Sequence, residues 1–89
     1  MEEIWTKAFS RSCDTLSVAD RIVIDGVLDE LLERHGSAEM RHSLMNVASE
    51  KIWATRRIHL NADLVRITWM YGESADTIVM LSLASVESE

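Results

Sequence analysis

Apolar residues recur at helical spacing within the stretch SVADRIVIDGVLDELLERHG, in the first half of the chain. A recurrence every three or four residues places side chains on one face of an α-helix. The apolar positions are Val18, Ile22, Val23, Val27, Leu28, Leu31 and Leu32. Ser17 followed by Asp20 is typical of a capped helix start, and Gly36 is typical of a helix end. The pattern therefore predicts an amphipathic helix over this stretch.

Charged residues follow the opposite face of the same helix at steps of four. They are Arg21, Asp25, Asp29 and Glu33. Such a stripe is either a solvated surface or an acidic docking face for a cationic partner.

The segment before this helix, EIWTKAFSRSCDTL, predicts two short elements. The first is a strand around Ile4 and Trp5. The second is a helix through Lys7–Asp14 that presents Ala8, Phe9 and Cys13 on one face.

Beyond Gly36 the hydrophobic period changes from 3.6 to two, which indicates strands. The strand segments are SLMNV, IWATRRIHL, LVRITWMY and TIVMLSL. Alternation in IWATRRIHL predicts that Trp53 and Ile58 lie on opposite faces. Polar turn clusters, Asn61-Ala62-Asp63 and Gly72-Glu73-Ser74, separate the later runs at hairpin intervals. The sequence predicts an α+β fold with two N-terminal helices packed on a three- to four-stranded antiparallel sheet.

Six residues on the apolar faces of these elements are predicted to form the core. They are Val27, Leu28, Leu31, Ile58, Ile67 and Ile78.

Length and composition indicate one domain spanning residues 1–89, with 47 % hydrophobic residues. No apolar run approaches the ~18 residues that a membrane span needs, and the first residues do not look like a secretory signal. A single cysteine, Cys13, leaves no internal disulfide. We therefore expect a cytoplasmic protein without membrane contact.

Charge is distributed unevenly along the chain, whose net charge is −6. Residues 1–40 carry −5, residues 41–66 carry +3 and residues 67–89 carry −4. An acidic body argues against a broad nucleic-acid surface. A small basic patch on the predicted hairpin is compatible with these values.

The order of these elements resembles the RelE/ParE/HigB toxin superfamily of type II toxin–antitoxin systems. In that superfamily a strand of the type W-x-x-R-I turns into an R-I-x-W strand and then into an apolar strand. The matching residues here are Ile52, Trp53, Arg56 or Arg57, Ile58, Arg66, Ile67, Trp69 and the run 78–81. The resemblance implies a toxin that acts on translation or on DNA gyrase and is neutralised by an antitoxin.

The resemblance also implies a binding surface on the sheet. Arginine forks pair two phosphate oxygens at once, and an aromatic ring can stack on an unpaired base. The candidate binding residues are Arg56, Arg57, Arg66, Trp53, Trp69 and His59. We predict that the three arginines form one patch that contacts RNA, the ribosome or an acidic protein segment. The alternative is that these arginines pair with nearby acids and that the tryptophans belong to the core.

The chain departs from the ribosome-dependent toxins at its end, because no Lys, Arg, His or Tyr follows Tyr71. General acid and base roles would then fall to His59, His42, Glu50 or Tyr71. We therefore assign no catalytic residue and predict weak or absent ribonuclease activity.

Two other function classes remain open. One is a non-catalytic acidic binding protein on the same scaffold, such as a phage-encoded inhibitor of host defence that mimics nucleic acid. The other is a structural module, including a homodimer.

Cofactor and metal chemistry receive no support from the sequence. The three glycines do not form a phosphate-binding loop. The spacing of His35, His42 and His59 does not match a metal site. We expect neither a cofactor nor a metal.

Overall fold

The computed structural model describes residues 1–47, 50–61, 63–74 and 76–86. The predicted turn at Asn61-Ala62-Asp63 includes Ala62, which lies outside the described residues. Strand β1 (Glu2–Trp5) is followed by helices α1 (Lys7–Asp14) and α2 (Val18–Arg34). Five strands come next: β2 (Ser43–Val47), β3 (Glu50–Ala54), β4 (Ile58–His59), β5 (Leu64–Tyr71) and β6 (Thr77–Ser85).

Both helices begin at a residue whose hydroxyl caps the first turn. The Thr6 side chain accepts a hydrogen bond from the Phe9 amide, at 3.2 Å. Ser17 likewise accepts from the Asp20 amide, at 3.2 Å. The reciprocal half of the predicted capping box does not form, because the Asp20 carboxylate accepts instead from the amide of Asn61, at 2.8 Å.

The strands form one sheet in the order β1-β6-β5-β3-β2, with β4 paired to β5. The α+β class and the helices packed on a sheet are confirmed. The expectation of three or four antiparallel strands is wrong, because six strands pair and β1 runs parallel to β6. Glu2 pairs with Thr77 and Trp5 with Met80. A parallel pair between segments so distant along the chain leaves no local turn signal in the sequence.

The predicted strand IWATRRIHL is interrupted by a bulge. Ala54 pairs with Thr68 and Ile58 pairs with Val65. Between these two pairs lie three residues, 55–57, in the segment that joins β3 to β4, but only two residues, 66–67, in β5. One extra residue on one strand is the definition of a β-bulge. The Thr55 hydroxyl accepts from the Ile67 amide, at 3.1 Å, in place of a main-chain carbonyl. Because of this extra residue Trp53 and Ile58 lie on the same face, and the predicted alternation is wrong.

The core lies between the helices and one face of the sheet. All six predicted core residues are buried, so that prediction is confirmed. Further residues complete the core, namely Phe9, Cys13, Ile24, Met40, Val65, Trp69 and Met80.

The buried stripe of α2 differs from the predicted one. It consists of Asp20, Ile24, Val27, Leu28 and Leu31. Val18 and Ile22, which were expected on the apolar face, are 80 % and 66 % exposed, and Val23 is also exposed. Apolar residues lie all around the first half of this helix, so spacing alone did not define which side packs.

Within the described part of the chain, no helix has the length and apolar character required to span a bilayer.

Candidate functional site

The sheet has an open face opposite the two helices. On β5 the core-facing residues are Val65, Ile67, Trp69 and Tyr71, so the alternate residues point to the other side. These alternate residues are Leu64, Arg66, Thr68 and Met70. Val79 of β6 and Ile4 of β1 continue this open face, because Met70 pairs with Val79 and Val79 pairs with Ile4. A ligand can therefore reach the sheet from this face, which the helices do not cover.

Arg57 and Arg66 lie at one end of the open face. The pairing of Ile58 with Val65 places Arg57 beside Arg66 on the neighbouring strand. Arg57 is exposed and Arg66 is half-buried. The nearby carboxylate of Asp63 accepts from the Leu64 amide, at 2.8 Å, and from the Ser85 hydroxyl. It therefore joins the start of β5 to the end of β6.

Arg56 does not join this basic end. Its guanidinium pairs with Glu30 of α2, at 3.0 Å, and lies 3.8 Å from Glu39. Its amide donates to the Glu39 carbonyl, at 2.7 Å. The prediction of a single patch of three arginines is wrong, because the bulge turns Arg56 towards the helix side of the sheet.

The two tryptophans belong to the helix side as well. Trp69 is fully buried, and its indole N–H donates to the Met40 carbonyl, at 2.8 Å. Trp53 stacks against Trp69 with ring centroids 6.3 Å apart, and the Arg41 guanidinium covers Trp53 at 4.9 Å. Trp69 as a platform for a base is therefore wrong, because its ring has no surface.

His59 is exposed on the two-residue strand β4 and pairs with Leu64. The structure places it beyond the bulge, near the basic end of the sheet.

A cluster that the sequence did not reveal joins the end of α2 to the end of β5. The Tyr71 hydroxyl lies 2.8 Å from His35 Nδ1 and accepts a hydrogen bond from Arg41 Nη2. Arg41 Nε donates to the His35 carbonyl, at 3.0 Å. These polar groups mainly satisfy one another, so the cluster holds the helix end against the sheet. Tyr71 is 36 residues from His35 and 30 residues from Arg41, and no motif spacing connects it to them.

A cleft lies at the opposite end of the open face from Arg57 and Arg66, with a volume of about 570 Å³. Ile4, Met70 and Val79 contribute apolar surface, and Glu50 and Glu73 contribute carboxylates. The open face therefore has a basic end and an acidic, partly apolar end.

Cys13 is buried on α1, and burial raises the pKa of its thiol above the ordinary value. A thiol that resists ionisation is a poor nucleophile. Among the residues that the structure describes, His, Cys, Asp and Glu side chains do not form a group of three that could hold a metal ion.

Two solved structures resemble this fold over nearly its whole length. A chain of the intact Escherichia coli RelBE toxin–antitoxin complex matches with a TM-score of 0.69 and 15 % identity, covering 98 % of both chains. The protein has a RelE-like fold. The isolated E. coli RelE toxin matches with a TM-score of 0.66 and 14 % identity, covering 99 % of this chain and 86 % of RelE. No protein-family model matches the sequence, and no curated protein matches it.

The resemblance inferred from the sequence is thus confirmed at the level of the fold. At this identity the RelE-like fold by itself assigns no activity to individual residues. The charges and apolar groups on the open face therefore decide which function is proposed.

Proposed function

We propose that this chain is the toxin-like member of a type II toxin–antitoxin pair, which acts in the cytoplasm and is neutralised by a partner protein. The observation that supports the proposal most strongly is the match to a chain of the RelBE complex over 98 % of both chains. A match that covers 98 % of both chains leaves few residues of either chain outside the shared fold. The uncovered sheet face is a surface that a partner or target can occupy.

The chemistry of the open face favours binding over cleavage of RNA. Arg57 and Arg66 can contact phosphates or carboxylates. Efficient phosphodiester cleavage also needs a positioned acid and base, and strand β6, which pairs with β5 beside Arg66, carries no Lys, Arg, His or Tyr. We therefore propose that the protein acts by occupying its target, either the translation machinery or DNA gyrase.

A non-catalytic acidic inhibitor is the second candidate function. Asp29 and Glu33 are exposed on α2, and Glu2 and Glu3 are exposed on β1. Together with the net charge of −6, these carboxylates favour a protein that competes with nucleic acid for a basic site. An inhibitor of host defence would use Asp29 and Glu33, on the helix side of the molecule, for this purpose.

Controlled expression in bacteria tests the main proposal. We expect the wild-type chain to arrest growth, and we expect coexpression of the protein encoded beside it to restore growth. Incorporation of labelled methionine and the supercoiling of a reporter plasmid distinguish translation from gyrase as the target. Normal growth at a high level of folded protein would contradict the toxin proposal.

The basic end of the sheet is tested in the same assay with matched variants. The double variant Arg57→Ala, Arg66→Ala should relieve growth arrest if that end contacts the target. The double variant Arg11→Ala, Arg34→Ala removes the same charge from the helices and should remain toxic. Equal toxicity of both variants would show that the two sheet arginines do not contact the target.

A further inference from the structure

The cleft at the acidic end of the open face has a surface that the proposed function does not yet explain. It lies where β1, β3 and the β5–β6 turn meet, with a volume of about 570 Å³. Ile4, Met70 and Val79 line it, and Ile4 is 45 % exposed. Apolar side chains gathered on an exposed surface are typical of a binding site.

Carboxylates border these apolar side chains. Glu50 and Glu73 line the cleft, and Glu2 lies on the same face as Ile4 because side chains alternate along β1. Within the described residues, no ion pair reaches any of these three carboxylates. Their negative potential is therefore directed into solvent at the edge of the cleft.

The basic residues of strands β3 and β5 do not cancel that potential, and Arg41 is held on the helix side by the Tyr71 hydroxyl and the Trp53 ring. Lys51 follows Glu50 on β3 and therefore projects to the opposite face of the sheet. Arg66 stands four residues before Met70 on β5, a distance of roughly 13 Å at the rise of a strand. A separation of this size exceeds the Debye length at physiological salt.

The apolar side chains and the carboxylates of the cleft together determine which kind of ligand can bind there. Phosphate groups and acidic peptides would be repelled by Glu50 and Glu73. A purely apolar ligand would leave the carboxylates without partners. A protein segment that carries leucine-like side chains next to Lys or Arg satisfies both features, because basic side chains also cover apolar surface with their stems.

We infer that the cleft formed by Ile4, Met70, Val79, Glu50 and Glu73 binds a cationic, apolar segment of the neutralising partner protein. The charge complementarity and the apolar surface determine the chemistry of the segment. The identification of its source as the antitoxin rests on the proposed function. The segment of the partner that binds this cleft therefore carries positive charge.

Two synthetic peptides of equal length test the chemistry directly on the purified full chain. Both carry the same leucine positions, flanked by lysines in one and by glutamates in the other. Binding is followed by ¹⁵N–¹H chemical shift changes. We expect the lysine peptide to bind and to shift the amides of Met70, Gly72 and Val79, with affinity that falls as salt rises. Equal or tighter binding of the glutamate peptide, binding outside the cleft, or no binding by either peptide would overturn the inference.

Matched variants separate the cleft from the rest of the surface. Ile4→Lys should lower the affinity for the lysine peptide about tenfold or more, because it places a positive charge on the apolar surface. Ile22→Lys makes the same change on exposed α2 and should leave the affinity unchanged. The double variant Glu50→Gln, Glu73→Gln should lower the affinity for the lysine peptide about fivefold and make that affinity less dependent on salt. Similar affinities for Ile4→Lys and Ile22→Lys would place binding elsewhere and overturn the inference.

The peptide-binding measurements and the growth assay test the two proposals independently. A chain that binds the lysine peptide at the cleft but does not arrest growth would contradict the toxin proposal and retain the cleft chemistry. A chain that arrests growth but binds neither peptide would retain the toxin proposal and remove this inference.

Discussion

Gly72 and Gly26 occupy opposite environments although both interrupt apolar segments. A Cβ at Gly72 would lie 2.9 Å from Cγ2 and 3.0 Å from Cβ of Thr77. Thr77 is itself buried, and its carbonyl accepts from the Gly72 amide, at 2.8 Å. Apart from the neighbouring backbone of its own helix, a Cβ at Gly26 would meet no atom within 4 Å. One glycine permits a close turn, whereas the other only weakens a helix.

The two glycines therefore predict opposite effects of the same substitution. Gly26→Ala should raise the free energy of unfolding by about 0.5–1 kcal/mol, because alanine favours the helix interior. Gly72→Ala should lower it by about 1–3 kcal/mol, because the new methyl group overpacks the β5–β6 turn. Urea denaturation of both variants measures the difference. Stabilisation by Gly72→Ala would show that Thr77 moves aside freely.

At the scale of elements, helix α2 packs through two residues that are fully enclosed, Ile24 and Leu31. Leu31 has no exposed surface. Leu31→Ala should cost roughly 2–5 kcal/mol, because it removes buried contacts and leaves a cavity. Ile22→Ala changes a residue that is 66 % exposed on the same helix and should stay within about 0.5 kcal/mol of wild type. Thermal unfolding compares the two variants, and an unchanged midpoint for Leu31→Ala would contradict this packing.

Asp20 connects the start of α2 to the loop before β5. Its carboxylate is buried and accepts from the Asn61 amide, at 2.8 Å. Asp20→Ala should cost about 1.5–3 kcal/mol, the range for hydrogen bonds to charged groups. Asp20→Asn keeps an oxygen acceptor and should recover part of this loss. Hydrogen exchange at Asn61 should accelerate in the alanine variant; unchanged protection would show that another group holds this loop.

Local patterns were sufficient to predict most elements. Helix α1 has the predicted bounds, Lys7–Asp14, because Phe9 and Cys13 mark a single face. Period two marked the strands after Gly36. The bulge escaped prediction because the Thr55 hydroxyl replaces a main-chain acceptor for the Ile67 amide, an arrangement with no sequence pattern of its own. The pairing of β1 with β6 also depends on contacts between distant segments.

These two features also limited the prediction of the site. Arg57 and Arg66 were expected to be neighbours because they flank one hairpin, and the register places them side by side. Arg56 was assigned to the same patch, but the bulge brings it to Glu30. The cleft escaped prediction because Ile4 reaches Val79 only through the parallel pair. Site prediction from sequence thus succeeded within one hairpin and failed across distant strands.

At the scale of the whole molecule, charge separates the two faces and the two ends of the sheet. Arg56 is neutralised by α2, with Glu30 at 3.0 Å. Arg57 and Arg66 lie at one end of the open face, and Glu50 and Glu73 lie at the other. A nucleic acid lying along the whole face would meet attraction at one end and repulsion at the other.

This distribution predicts weak or absent ribonuclease activity on ribosomes. Phosphate binding at Arg57 and Arg66 supplies positioning but no acid or base, and the last described strand, β6, contains neither basic nor aromatic residues. Removing general acid–base catalysis typically lowers rates by about 10²–10⁴-fold. Purified ribosomes programmed with messenger RNA, analysed by primer extension, should therefore show little cleavage. Arg57→Ala, Arg66→Ala should leave that low level unchanged while weakening any salt-sensitive ribosome binding. Efficient cleavage at defined codons that the double variant abolishes would instead make these two arginines part of an active site.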